Sequence, residues 1–64
     1  MDDLDALKTK VKKLNAQATQ AKMDLHDLSE ELPINWEQVP AVAQRAFDAY
    51  RALADARAAL AAVA

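Results

Sequence analysis

The side chains that could do chemistry in this chain gather around its single histidine. His26 and Glu30 are four residues apart and share a face if the stretch is helical, with Asp27 beside them. An imidazole and one or two carboxylates are ligands for a divalent cation. The set is too small to close a metal site, so a second chain would have to complete it. A solvated histidine in an acidic patch is the simpler interpretation, and metal binding at His26 and Glu30 is the alternative.

Catalysis has no such starting point in the sequence. Ser29 follows His26 by three residues, and Thr9 and Thr19 stand alone, so no nucleophile has a base oriented towards it. Paired carboxylates need an enclosed pocket to separate their pKa values, and the acids here lie in polar stretches. The chain contains no glycine and no cysteine, which excludes phosphate-binding glycine loops, disulfides and thiolate metal sites. We expect a protein that is not an enzyme and needs no cofactor.

Charge and hydropathy exclude two further classes of partner. The formal net charge is −2, too small to steer the chain to nucleic acid. The lysines of the first half fall on several sides of a helix, without interleaved aromatic residues to stack bases. No apolar run approaches the roughly 20 residues of a membrane span. The first residues lack the basic and apolar regions of a signal peptide, so we expect a cytoplasmic protein that binds neither nucleic acid nor membrane.

The elements that position these side chains begin with a long helix. Asp3 and Asp5 place negative charge where a helix starts. Apolar residues then recur at alternating steps of three and four, which predicts a coiled-coil type helix over about 3–31. In this heptad, position a is occupied by Leu4, Val11, Ala18, Leu25 and Leu32, and position d by Leu7, Leu14, Ala21 and Leu28.

Charge is sorted along this first helix, with lysines in its first half and acids in its second half. The row of apolar residues along the helix, here called the seam, contains Ala18 and Ala21 near its middle. Their small side chains let another helix approach closely. Lys10 and Asp24 both occupy heptad position g beside these alanines. The simpler interpretation is two solvated faces. The alternative is that the basic half meets the acidic half of another, antiparallel helix, with Lys10 and Asp24 as the natural pair.

Both prolines and the single tryptophan lie in the stretch between the helices. Pro33 should end the first helix at about Glu31. Asn35 and Gln38 have the spacing of a capping box. Pro40 disfavours helical geometry at Val39, which predicts a short 3₁₀ turn near 36–39 before the second helix. Trp36 is predicted to cover the end of a helix bundle.

A second heptad predicts a helix over about 40–62, with its seam at Val39, Val42, Ala46, Ala49, Leu53, Ala56, Leu60 and Val63. Ala43, Phe47, Tyr50 and Ala54 form a flanking row, which makes the apolar face wider than one partner helix needs. We therefore predict a single all-α domain over 1–64, an antiparallel two-helix hairpin. A hairpin of 64 residues with alanine-rich seams is too thin to be stable alone, so it should associate into a four-helix bundle, as a dimer or higher homo-oligomer.

A family resemblance rests on the block from Lys22 to Pro33, followed by Asn35-Trp36 and Val39-Pro40. These residues resemble the Rop-like family of small uncharacterised proteins encoded in nitrogen-fixation gene clusters, over most of residues 14–60. The resemblance implies a hairpin that dimerises or forms a larger bundle, and an accessory place near nitrogenase or its maturation. It also implies some association with metal.

Two functions follow from these observations. In the first, the hairpin is a self-associating interaction module that docks onto a nitrogen-fixation protein. Its interaction surface is then Asp24, Asp27, Glu30, Trp36, Phe47 and Tyr50. In the second, it is a small metal-binding protein built around His26 and neighbouring carboxylates.

Overall fold

A computed structural model describes residues 3–64 as two long helices joined by a short turn. Helix α1 spans Asp3–Glu31 and helix α2 spans Val39–Val63, with a 3₁₀ turn over Trp36–Gln38 between them. The two helices pack against each other as a hairpin that measures 48 × 14 × 12 Å. The predicted all-α hairpin is confirmed.

Burial along α1 follows the predicted heptad. Every seam residue from Leu4 to Leu28 is partly or fully covered by α2, whereas the residues between them are exposed. Leu32 is the exception and is 43% exposed, because α1 ends one residue earlier and the chain turns away. The seam is therefore set by positions a and d of the heptad, as expected for two helices that pack side by side.

Helix α2 contributes the matching seam. Its predicted positions from Val39 to Leu60 are covered, with a at Val39, Ala46 and Leu53 and d at Val42 and Ala49. Val63 lies at the open end of the hairpin and is 59% exposed. Antiparallel packing then sets e positions of α1 beside e positions of α2 on one side of the seam, and g beside g on the other.

The core between the helices is thin. Its buried residues are all hydrophobic, and half of them are alanines: Ala18, Leu28, Val42, Ala46, Leu53 and Ala56. Among residues 3–64, no large side chain is completely enclosed. Each helix has only one neighbour, so most seam residues stay partly open to solvent, although Ala18 is fully buried. The predicted shortage of core is thus visible in the single hairpin.

The turn differs from the prediction by one residue. Helix α1 ends at Glu31, as Pro33 predicted, and the Leu32-Pro33 peptide bond is cis. Helix α2 begins at Val39, however, not at Pro40. Val39 is helical, with φ −53° and ψ −48°, because the 3₁₀ turn leads directly into α2. Pro40 lies in the first helical turn, where its missing N–H removes no hydrogen bond.

The predicted capping box at Asn35 is wrong. Asn35 has a left-handed backbone, with φ 60° and ψ 26°, and its side chain makes no capping hydrogen bond. An N-cap side chain reaches the next amides from an extended backbone, which this residue does not have. Its carbonyl accepts a hydrogen bond from the Gln38 amide at 2.9 Å instead. Asparagine tolerates the left-handed region better than most residues, and the chain has no glycine to place there.

Candidate interaction surfaces

The two sides of the seam open into two grooves of different chemistry. On the side of the e positions, an open apolar groove, here called the cationic groove, is lined by Lys22, Leu25, Ala46, Phe47, Tyr50 and Arg51. On the side of the g positions, a smaller groove, here called the mixed-charge groove, is lined by Gln17, Gln20, Ala21, Asp24, Val42 and Arg45. The heptad and the antiparallel hairpin together determine which residues meet on each side.

In the cationic groove, two aromatic residues stand open to solvent. Phe47 is 61% exposed and Tyr50 is 43% exposed. They lie three residues apart on α2 and so project from the same side of that helix. Leu25 and Ala46 form the floor, where the seam is covered. The exposure expected from the wide apolar face of α2 is confirmed.

Two cations border these aromatic residues. Lys22 extends from position e of α1 and Arg51 from position f of α2. Neither was among the residues predicted from sequence. The signal was present, because the heptad of an antiparallel hairpin places Lys22 opposite Tyr50 and sets Arg51 four residues after Phe47. That signal emerges only when the heptad positions of the two helices are combined.

In the mixed-charge groove, charges of both signs face each other. Asp24 lines it from α1 and Arg45 from α2, together with the small Ala21 and the buried Val42. The Gln20 amide donates a hydrogen bond of 2.9 Å to the Asp24 carboxylate. That bond orients the carboxylate along its own helix.

Near the open end of the hairpin, a polar contact crosses between the helices. The Arg57 guanidinium donates a 3.3 Å hydrogen bond to the Asn15 side-chain oxygen. Both residues are at e positions, on the same side as the cationic groove. This contact supports the antiparallel register in which residues 15 and 57 lie side by side.

The histidine lies apart from both grooves. His26 Nε2 is 3.3 Å from Glu30 Oε1, and His26 Nδ1 is 3.8 Å from Asp27 Oδ1, with all three side chains largely exposed. The carboxylates therefore sit beside opposite ring nitrogens, and a cation bound at Nε2 would have only Glu30 as a second ligand. Within residues 3–64, no three histidine or carboxylate side chains are grouped as metal ligands. The Ser29 hydroxyl donates to the His26 backbone carbonyl at 2.7 Å, not to the imidazole.

A third exposed region lies at the turn. Leu32, Ile34 and Trp36 are 43%, 66% and 64% exposed. Trp36 therefore does not cover the end of a single hairpin. Its predicted role at the end of a bundle would need a second chain.

The residues predicted as one interaction surface thus occupy four places. Phe47 and Tyr50 line the cationic groove, and Asp24 lines the mixed-charge groove. Trp36 stands at the turn. Asp27 and Glu30 surround His26 on the outer side of α1.

Neither helix, within the described residues, is long and apolar enough to cross a membrane.

The sequence is similar to that of a known protein family. The model of the Rop-like family matches residues 2–64. A UPF0437 protein of Azorhizobium caulinodans is 49% identical over 57 residues, covering 89% of this chain and 83% of that protein. A UPF0437 protein of Sinorhizobium fredii is 48% identical over 62 residues, covering 97% of this chain and 92% of that protein.

A third relative is described by its place in a genome. The UPF0437 protein in the nifX-nifW intergenic region of Frankia alni is 48% identical over 52 residues, covering 81% of this chain and 63% of that protein. No solved structure matches the chain.

Proposed function

The chain belongs to the Rop-like family, and we propose that it is a small non-enzymatic accessory protein of nitrogen fixation, a hairpin that self-associates and docks onto another protein. The family assignment confirms the resemblance drawn from Lys22 to Pro33. The Frankia relative is described as lying in a nifX-nifW intergenic region, which supports a role in nitrogen fixation. The proposed site of action is the cytoplasm.

The observation that carries self-association is the area of the exposed surface. The hairpin exposes 4891 Å², whereas a compact monomer of its 7.0 kDa mass would expose about 4,000 Å². The excess, roughly 850 Å², is close to the ~800 Å² that each partner buries in a standard protein interface. A second copy could bury that area, and a four-helix bundle is the arrangement in which hairpins usually do so.

We place the second copy on the mixed-charge groove. We align the α1 helices of the two copies antiparallel along this groove, with Gln17 at the centre. Lys10 of each copy then faces Asp24 of the other, which gives two ion pairs about one two-fold axis. In the same register, Leu14 of each copy faces the small Ala21 of the other. Charges of both signs on this side make it self-complementary.

The partner-binding surfaces remain open in this arrangement. In such a bundle Trp36 would lie at each end and the acids around His26 on the outside, and we propose these residues as contacts with another protein. Phe47 and Tyr50 lie on the opposite side of the seam from the second copy. We expect affinity purification from nitrogen-fixing cells to recover a protein encoded in the same gene region.

Sedimentation equilibrium with charge-swap variants tests self-association. We expect the wild type to dimerise in the micromolar range. Lys10→Glu and Asp24→Lys should each raise the dissociation constant about tenfold, because two ion pairs become like-charged pairs worth about 1–2 kcal/mol together. The double variant should restore much of the affinity.

The matched control is Lys12→Glu, which makes the same charge change at heptad position b, an exposed position on the opposite side of α1 from the mixed-charge groove. A folded wild type that stays monomeric at these concentrations would refute self-association. Equal effects of Lys10→Glu and Lys12→Glu would place the second copy on another face.

A second candidate function is binding of a divalent cation. It is favoured by one observation, the 3.3 Å approach of His26 Nε2 to Glu30 Oε1 across a helical turn. A second hairpin would have to supply the remaining ligands, because two groups do not complete the four-coordinate shell that zinc prefers.

A further inference from the structure

We propose that the cationic groove binds an amphipathic helix from another protein, one with acidic residues beside its apolar face. This rests on the proposed function in one respect, since self-association through the mixed-charge groove leaves the cationic groove free. It goes beyond that function by stating the secondary structure and the charge of the partner.

The shape of the groove fits a helix. The groove runs between two packed helices, so a third helix laid into it would contact both. The floor at Leu25 and Ala46 is apolar, and Ala46 is small and only 8% exposed, which permits close approach. Phe47 and Tyr50 project beside this floor from α2. Apolar side chains at a spacing of three and four residues on a docking helix would pack against them.

The charge of the groove determines the partner. Lys22 borders the groove from α1 and Arg51 borders it from α2, and none of the described residues that line it is acidic. Acidic side chains flanking an apolar stripe would therefore meet a cation on either side. Arg51 can also bind a carboxylate through two parallel hydrogen bonds. Such complementarity selects partners and raises the rate of association.

A second copy of the chain is a poor occupant of this groove. Two copies pairing groove to groove would bring the same cations together without an acid between them, which is unfavourable. The acids of the chain near Glu30 and Glu37 lie at the turn. There the apolar side of α1, at Leu28, is already buried by α2. No acidic helix with a free apolar face exists in residues 3–64.

Fluorescence anisotropy with two designed peptides tests the proposal on the full chain. The probe is a fluorescein-labelled helical peptide of about five turns, with leucines at heptad a and d positions and glutamates beside them. The comparison peptide carries lysine at every glutamate position. We expect the acidic peptide to bind at least tenfold more tightly, with an affinity that falls as salt is added.

Arg51→Glu should abolish that preference, and Lys22→Glu with Arg51→Glu should invert it towards the lysine peptide. The matched control is Arg45→Glu, the same substitution on the same helix but in the mixed-charge groove, which should keep the acidic preference. Circular dichroism confirms that each variant stays helical.

Three results would overturn the proposal. They are equal binding of the two peptides, an unchanged acidic preference in Arg51→Glu, and a groove occupied by a second copy. The last would appear as a loss of self-associated mass in Arg51→Glu. Failure of self-association appears separately, as a monomeric wild type in sedimentation, and leaves the peptide result interpretable.

Discussion

Helices α1 and α2 share one heptad seam but differ in everything outside it. On α1 the large apolar residues other than Met23 lie at positions a and d, and charged or polar side chains cover most of the remainder. On α2 the apolar surface continues through Phe47 and Tyr50, which solvent reaches. The narrow helix needs a single neighbour, whereas the wide helix has surface left after packing. A seam therefore defines a hairpin, and the residues beside it define what the hairpin binds.

The largest effect should come from the seam, where the helices are equivalent. Leu28 on α1 is 6% exposed and Leu53 on α2 is 3% exposed. Replacing either by alanine removes buried methyl groups and leaves a cavity, at a cost of about 2–4 kcal/mol. That loss is a large part of the stability of a domain this small. We expect both variants to be largely unfolded in thermal melts followed by circular dichroism.

An exposed leucine supplies the control for this pair. Leu32 is 43% exposed beyond the end of α1, so Leu32→Ala should lower the melting temperature far less. If Leu28→Ala were as mild as Leu32→Ala, the two helices would not share one seam.

The second prediction concerns the outside of the helices, where they should differ. Phe47 on α2 and Met23 on α1 are similarly exposed, at 61% and 53%. Phe47→Ala should raise the dissociation constant of the acidic peptide about tenfold, because interface aromatic residues often carry much of the binding energy. Met23→Ala should change nothing, because Met23 lies at position f among polar residues. Anisotropy titrations of both variants make the comparison.

Either of two results would remove this distinction between the helices. An equal loss of peptide binding in both variants would show non-specific apolar contact. An unchanged affinity in Phe47→Ala would show that the cationic groove does not use its aromatic wall. Melting curves of both variants should stay close to wild type, since neither side chain belongs to the core.

The fold was predictable from sequence because it depends on periodicity. The steps from Leu4 to Leu28 identify the buried side of α1 residue by residue, and Pro33 identifies its end. The turn was less predictable. The left-handed backbone of Asn35 depends on how two helices must meet, which a capping pattern read along the chain does not contain.

The grooves required the pairing of the helices as well as their pattern. Lys22 and Arg51 are 29 positions apart in sequence, and they face one groove only after the hairpin folds. Asp24, Trp36 and Phe47 are all exposed, and their role in binding another protein stays a prediction. They lie on different sides of the molecule because their heptad positions differ. Which positions share a side is known only once the two helices are paired.

The smallest predicted effect compares one polar pair on each helix. His26 with Glu30 on α1 and Gln44 with Asp48 on α2 are both exposed pairs four residues apart, at 3.3 Å and 2.8 Å. Such pairs stabilise a helix by about 0.2–0.5 kcal/mol, and the higher helix propensity of alanine offsets a loss of this size. His26→Ala and Gln44→Ala should therefore each change the melting temperature only slightly. Zinc distinguishes the pairs, because imidazole is a zinc ligand and an amide is not.

If the protein is an interaction module, stoichiometric zinc should leave the melting temperatures of wild type and both variants unchanged. Zinc stabilisation of wild type and Gln44→Ala, but not of His26→Ala, would instead support cation binding. Because two ligands from one hairpin do not complete a zinc site, that stabilisation should also grow with protein concentration as a second hairpin joins. A zinc effect independent of concentration would mean that one hairpin binds the ion alone, which the opposite placement of Asp27 and Glu30 around the imidazole argues against.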